Sequence, residues 1–355
     1  FYPMTMAEES WASVYRDIPR TVEVMAGSGV EGLEAFLQER RGHYQVVLIS
    51  RPHNMTYLRH VWSAHPEWLA GAAVVYDPEA VFALREIARR ALRGDPLPAA
   101  QAQRLVAEEV ELARAAHRVV CVTELEAAEY RGRGIREVVV LGHAAALAPT
   151  PADFDQRAHL LFVGAVHEDD SPNADSLLWF AGEVLPRVRA ALGDVWLDVA
   201  GVNASGAVAR LAAGPVRLLG PVNDLRPLYD ARRVFVAPTR FASGLPLKIC
   251  EAAAHGLPVV ATSLLASQLG WQAGRDLLVG DTTEAFARAC IELYADRAAW
   301  ARTRARALEQ VKARCAPEAF AATVAALCEG ERDTPVPRGA AASAHAPGLT
   351  TRARG

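Results

Sequence analysis

Short apolar runs alternate with longer amphipathic segments along most of this chain, and that alternation restricts the fold more than any other feature. Gln45–Ser50, Ala72–Tyr76, Arg118–Val122 and Glu137–Leu141 are almost wholly aliphatic or β-branched. Runs of this kind, without polar alternation, read as strands covered on both faces. Val30–Arg41, Val81–Arg93 and Ala99–Ala116 lie between or beside them and carry helical spacing. A second series follows, with strands at His159–Val163, Val195–Ala200, Val216–Leu219, Val234–Ala237, Pro258–Thr262 and Leu277–Val279. Its clearest helices are Asp175–Ala191 and Glu284–Ala295. Strand–helix alternation on this scale predicts an α/β protein of two Rossmann-like domains, each a parallel sheet with helices on both faces.

The stretch 142–157 interrupts the pattern with Pro149, Pro151 and several alanines, and reads as the connection between domains. The predicted organisation is a first domain over 1–145, a linker over 146–157 and a second domain over 158–315. A helix over 316–330, set off by Pro317, is predicted to cross back to the first domain, and 331–355 to form a disordered tail. Thr21–Met25 is a short strand candidate, and Phe1–Pro19, without clear period, is predicted to cover a surface.

Composition excludes several functions. With 355 residues and a net charge of −3, the chain can bury two cores and lacks the basic excess of a nucleic-acid binder. No apolar run approaches the ~20 residues that span a bilayer. The five cysteines are scattered without metal-ligand spacing, as in a reducing compartment. These features predict a cytoplasmic protein without a metal site.

Residues 240–262 concentrate the chemistry. They read as a loop, a short helix and a buried strand, with Pro246 placed at the first helical position and Gly256 and Pro258 as stop signals. Lys248 falls in the first turn, where the helix dipole disfavours a cation by roughly 0.3–1 kcal/mol. A phosphate on the free N–H groups there reverses that penalty. Glu251, three residues on, shares the face of Lys248 and can accept from ribose hydroxyls; an exposed i, i+3 ion pair is the plainer reading. Gly164, Gly201 and Gly220 each end a strand, and Pro238-Thr239-Arg240 ends another. In open parallel sheets ligands bind at such carboxyl ends, so the set points to one crevice.

Leu160–Gly164, Val199–Gly201, Leu218–Val222 with Leu225 and Tyr229, and Arg240–Thr262, in this order and spacing, resemble the donor domain of group 1 (family 4) retaining glycosyltransferases of the GT-B fold. Asn173–Pro186 and Val74–Asp77 are similar to a bacterial subgroup acting in cell-surface polysaccharide pathways. The resemblance implies a nucleotide diphosphate sugar as substrate with no bound cofactor, transfer to a hydroxyl acceptor with retention, and optional peripheral contact with the inner face of the cell membrane. It implies catalytic roles for Lys248, Arg240 and Glu251, with backbone N–H groups near Gly244 and Leu245 holding the diphosphate. It places Gly164, His167, Asn173, Gly201, Val222, Asp224, Leu225, Phe241 and Ser243 around the donor.

The sequence also departs from the family. Of the two glutamates eight positions apart that the family uses, Glu251 matches the second and Ser243 stands for the first. Pro246 replaces a lysine of the subgroup. The acidic loop Glu168-Asp169-Asp170 occupies the place of a basic pair, and must turn away or leave the phosphates to Arg240 and Lys248. No strand and glycine-rich loop precede Thr21, which predicts a first sheet lacking its usual initial strands. These departures keep open a non-catalytic binding module or a sugar-nucleotide epimerase as alternatives. On the acceptor side Arg51, His53 and Asp77 follow strands. His53 can orient an acceptor or be a polar loop residue, and Asp77, with Glu79, can bind a hydroxyl or cap the helix after Val81. Asp224 is equally suited to the nucleotide base or to capping the helix through Tyr229.

Overall fold

The computed structural model describes residues 1–4, 15, 18–25 and 27–329. The tail over 331–355, and most of the segment before Pro19, lie outside the described residues. Helix α1 (Leu33–Glu39) precedes a sheet of β1 (Val46–Ser50), β2 (Ala73–Asp77), β3 (Arg118–Cys121) and β4 (Val138–Val140). The strands lie in sequential order and all pairs are parallel. The crossovers are α2 (Pro52–Ala64), then α3 (Phe82–Leu92) with α4 (Ala99–Glu111), then α5 (Glu124–Gly132). Thr21–Met25 forms no strand: its backbone bonds run from Met25 N to Phe1 O and from the terminal amine to Glu23 O.

Sequential parallel order has a consequence for coverage. Crossovers of one hand that always step the same way put every connecting helix on the same face. Met55, Leu58, Val61 and Trp62 of α2, Val106 and Val110 of α4, and Ala127 and Tyr130 of α5 all join Val74, Tyr76, Val119 and Cys121 in one core. The opposite face, with Val75 and Val120, has no crossover helix among the described residues.

The second sheet has the order β10–β9–β8–β5–β6–β7, again with every pair parallel. In chain order the elements begin with β5 (Leu160–Val163) and α6 (Pro172–Trp179), which continues through a π turn, Phe180–Val184, into α7 (Leu185–Leu192). The single helix expected there breaks its register because Pro186, inside the next turn, has no N–H to donate. Then come β6 (Leu197–Ala200), α8 (Gly206–Ala209), β7 (Val216–Gly220), α9 (Arg226–Ala231) and β8 (Val234–Ala237). They are followed by α10 (Leu247–Ala254), β9 (Val259–Ala261), α11 (Ser263–Leu269) and β10 (Leu278–Val279). Last are α12 (Thr283–Ala295), α13 (Arg297–Arg314) and α14 (Pro317–Glu329).

Winding reverses between β5 and β8, so this sheet is covered on both sides. Leu160, Phe162, Val234, Val236 and Val260 face one core, and Leu161, Phe235, Ala237, Val259 and Ala261 face the other. The reversal is a topological switch point, which leaves a crevice beyond the carboxyl ends of β5 and β8. Helix α14 leaves this domain and sets Leu327 on Val75 and Val120, the uncovered face of the first sheet, where Arg118 donates to the Leu327 carbonyl at 3.0 Å.

Gly201 shows how tightly the crevice is built. A Cβ there would sit 2.4 Å from the Gly164 carbonyl oxygen, and its φ of +140° disfavours any side chain. We expect Gly201→Ala to destabilise the fold by about 1–3 kcal/mol from backbone strain alone, with the clash added. An unchanged urea midpoint, followed by tryptophan fluorescence, would contradict this.

Candidate active site

The three strand-ending glycines meet. Gly164 N donates to Ala200 O at 2.9 Å and Gly201 N to Gly220 O at 2.8 Å, which ties the ends of β5, β6 and β7 together. Beyond them opens a cavity of about 370 Å³, lined by Gly164, Gly201 and Gly220 together with Val166, Asn203 and Leu218. The register between β6 and β7 slips after Val199, so Ala200 pairs with Gly220 at the edge of the cavity.

Lys248 reaches this region from α10. Pro246 caps that helix rather than opening it, since the helix begins at Leu247. The Lys248 Nζ donates to Asn173 Oδ1 at 2.7 Å and lies 4.4 Å from the centre of the Phe162 ring. Asn173, in the first turn of α6, is itself oriented by its Nδ2, which donates to the Ala165 carbonyl at 2.8 Å. The residue is half-buried while its ammonium is enclosed, and desolvation pushes its pKa down to about 8. One amide oxygen and a ring face are weak compensation for a dry cation.

Glu251 is half-buried, and its carboxylate has no hydrogen bond or ion pair among the described residues. It lies near Tyr229, whose hydroxyl is buried, unpartnered, and raised in pKa by burial first and then by the Glu251 charge. Tyr229 in turn stacks on His255 at 4.6 Å. The Ser243 hydroxyl, at the position of the family's first glutamate, is also buried without a partner.

Several expected residues are otherwise engaged. Arg240 is clamped by Asp175, with Nη2 donating at 2.6 Å and Nε at 3.0 Å, and it packs 5.1 Å over Trp179. Its charge is met inside the protein, so it does not stand free beside Lys248. Gly244 N donates to Glu126 Oε1 at 2.9 Å, across the domain boundary, rather than facing an anion. Asp224 is exposed and accepts from the backbone and side chain of Arg226, which favours its capping reading. The acidic loop does turn its charges elsewhere: Asp170 pairs with Arg89 of α3 and Asp169 accepts from Ser205. His167 is exposed, Val222 and Leu225 are half-buried near the end of β7, Phe241 is buried, and Leu245 is half-buried.

On the first domain, Arg51 and Asp77 come together at the ends of β1 and β2. Arg51 Nε donates to Glu79 at 2.9 Å, and Asp77 Oδ1 accepts from Glu79 N at 2.8 Å. Arg51 and Glu79 hold positive φ of 76° and 61°. Burial raises the Asp77 carboxyl, and the Glu79 N–H works against that rise. Neither Asp77 nor Glu79 caps α3. Its first N–H groups go to Glu109, which accepts from Phe82 and Ala83 at 2.8 and 2.7 Å. His53 is exposed in the first turn of α2 and is not drawn into this cluster. Asp175, Glu109 and Glu126 were not singled out in the sequence. Only Glu126 carries a signal there, the Thr-x-x-Glu spacing with Thr123.

Two Rossmann-like domains meeting at the carboxyl ends of their parallel sheets, with a cationic crevice at the switch point of the second, define the GT-B class of fold. Residues 157–296 match the family model of group 1 glycosyl transferases. No curated protein sequence matches the chain. Among solved structures it is similar to TarM, at 12% identity and a TM-score of 0.67, covering 85% of this chain and 58% of that one. It is also similar to Anabaena HepE in complex with UDP and glucose, at 15% identity and a TM-score of 0.64, covering 90% and 89%. Sucrose-phosphate synthase from Thermosynechococcus elongatus gives 17% identity, a TM-score of 0.63 and coverage of 84% and 76%. The chain thus spans little more than half of TarM and most of HepE.

The lowered pKa of Lys248 sets a pH dependence. Its charged form is the disfavoured one in the folded chain, so the penalty is present below about 8 and is relieved as pH rises toward the ordinary lysine value. An anion at the ammonium acts oppositely and raises its pKa. We expect an anion seated on Lys248, with non-titrating sulfate as the probe, to bind at pH 8.5 with uptake of a proton and to weaken as pH rises through 8 and above. Calorimetry in buffers of different ionisation enthalpy reads both effects, and no net proton uptake would show that the anion does not reach the Lys248 ammonium.

Proposed function

We propose that this protein transfers a sugar from a UDP-type nucleotide diphosphate donor to a hydroxyl acceptor with retention, in the synthesis of a cell-surface or related glycan. The observation that carries this reading is the pairing of an enclosed, under-compensated Lys248 ammonium, held by Asn173 next to Gly164, with an unpartnered Glu251 carboxylate three residues further along α10. A nucleoside diphosphate supplies what each lacks: anionic oxygen for the lysine and hydroxyl donors for the glutamate. The apolar and glycine-lined cavity suits a flat base against backbone. HepE, of similar fold, binds UDP and glucose, and a variant of S. aureus TarM is in complex with UDP, which supports the donor class.

In the reaction, the bond between the anomeric carbon and the phosphate oxygen breaks as the acceptor oxygen bonds to that carbon. Negative charge gathers on the departing diphosphate. Lys248, already positioned and poorly solvated, gains most from that charge, which is preorganised electrostatic stabilisation. Arg240 contributes through Asp175 and the shape of the loop rather than as a second free cation. The acceptor enters from the first domain, past Arg51, Asp77 and the first turn of α2 with His53. Among the described residues no group of His, Cys, Asp and Glu converges on a metal-binding arrangement, and no helix is long and apolar enough to cross a membrane.

Lys248→Ala is expected to lower turnover about 10²-fold, the scale of one preorganised donor. Glu251→Ala is expected to weaken UDP binding about tenfold or more, the worth of a hydrogen bond to a charged group. Donor titration followed by product analysis with and without acceptor tests both. Binding without transfer would indicate a binding module, and an altered sugar from donor alone an epimerase.

A further inference from the structure

Glu126 carries the one buried carboxylate contact among the described residues that reaches the loop leading into α10. It sits in the first turn of α5 at 4% exposure, and its Oε1 accepts two backbone N–H groups. Val81 of its own domain donates at 3.0 Å and Gly244 of the other at 2.9 Å. The spacing Thr123-x-x-Glu126 is that of a capping box, in which the carboxylate would fold back on the Thr123 N–H. Only half of that motif forms here: Thr123 Oγ1 accepts from Glu126 N at 3.2 Å, while the carboxylate turns outward to the second domain.

The other side of this contact is equally specific. Gly244 has a φ of +85°, and a Cβ there would lie 3.3 Å from the Glu79 carbonyl and 3.5 Å from Ala80. The loop therefore abuts the turn after β2 with its N–H aimed at Glu126. Two residues on, Pro246 caps the helix that carries Lys248 and Glu251. A second tie, Arg89 to Asp170, joins the domains on the acidic loop.

We propose that Glu126 is a positioning residue that couples contact between the two domains to the conformation of the donor loop. When the domains meet, one carboxylate oxygen clamps the turn before α3 and the loop before α10 together, which fixes Lys248 relative to the acceptor side. When they part, the Gly244 N–H is released and the loop loses that restraint. The inference rests on the donor reading above. The donor-binding groups Lys248 and Glu251 both belong to the second domain, so they can hold nucleotide without the clamp.

The test compares wild type, Glu126→Ala and Glu126→Gln. In Glu126→Ala we expect turnover to fall about tenfold or more, as for a lost charge-assisted hydrogen bond, while the Kd for UDP by titration rises by no more than the several-fold factor by which UDP protects Gly244. Glu126→Gln keeps an acceptor oxygen and should recover most of the turnover. A purely structural role predicts lowered melting temperature with unchanged turnover per folded molecule, and that result overturns the proposal. Amide hydrogen exchange in the unmutated protein provides a readout that does not depend on any variant folding. Saturating UDP should slow exchange at Gly244 several-fold and leave Val81 unchanged, whereas equal protection of Gly244 with and without UDP also overturns it. If wild type binds no UDP at all, the donor reading fails rather than the coupling.

Discussion

The site depends on a cation in a dry place. Lys248 could have carried its charge to solvent, as most lysines do, but α10 delivers it over Phe162 and against Asn173. A buried ammonium with one neutral partner is held at a free-energy cost, and the surrounding fold maintains it. Asn173 is aimed by the Ala165 carbonyl, and Gly164 and Gly201 leave no room for side chains where that backbone passes. The strain is local, and an anion is the simplest thing that relieves it. This supports the proposed binding site over a surface ion pair. Glu251, the neighbour that could have neutralised the lysine on the same helix face, makes no ion pair with it.

Coverage of the first sheet explains the path of the chain's last helix. Four strands in sequential order leave one face without crossover helices, and apolar residues such as Val75 and Val120 cannot remain bare. Helix α14 supplies Leu327 to that face after α13 has packed on the second domain. One continuous pair of helices thus belongs to both cores. Together with the Glu126–Gly244 bond and the Arg89–Asp170 pair, it ties the domains together at three places, and relative motion of the domains must work against these contacts.

Much of the architecture was legible because buried parallel strands are nearly all apolar and cannot be mistaken for exposed helix. The donor-domain strands fall within one or two residues of their predicted bounds. Helix α2 was missed because Arg51-Pro52-His53-Asn54 reads as a polar loop, although Pro52 is well placed to start a helix and Met55, Leu58 and Trp62 follow at helical spacing. Capping was the other failure. Asp77 and Glu79 have the right types and position for α3, yet Glu109 of α4 holds its N-terminus. A cap supplied from another helix leaves no local trace in a sequence. The same limit applies to Arg240: its role depends on Asp175, sixty-five positions away, which pairs only once α6 is laid beside β8.

Ser243 then bears on how the site can work without the carboxylate usual in its family. A glutamate there would bring a second negative charge close to the incoming diphosphate and would need its own cation. This chain has assigned the candidate cation, Arg240, to Asp175, and replaced the carboxylate with a hydroxyl that is buried and unpartnered. A hydroxyl can donate to a sugar oxygen as well as accept, so the vacancy left by the carboxylate remains a hydrogen-bonding position. In the proposed reading Lys248 therefore carries the phosphate interaction without a second free cation beside it.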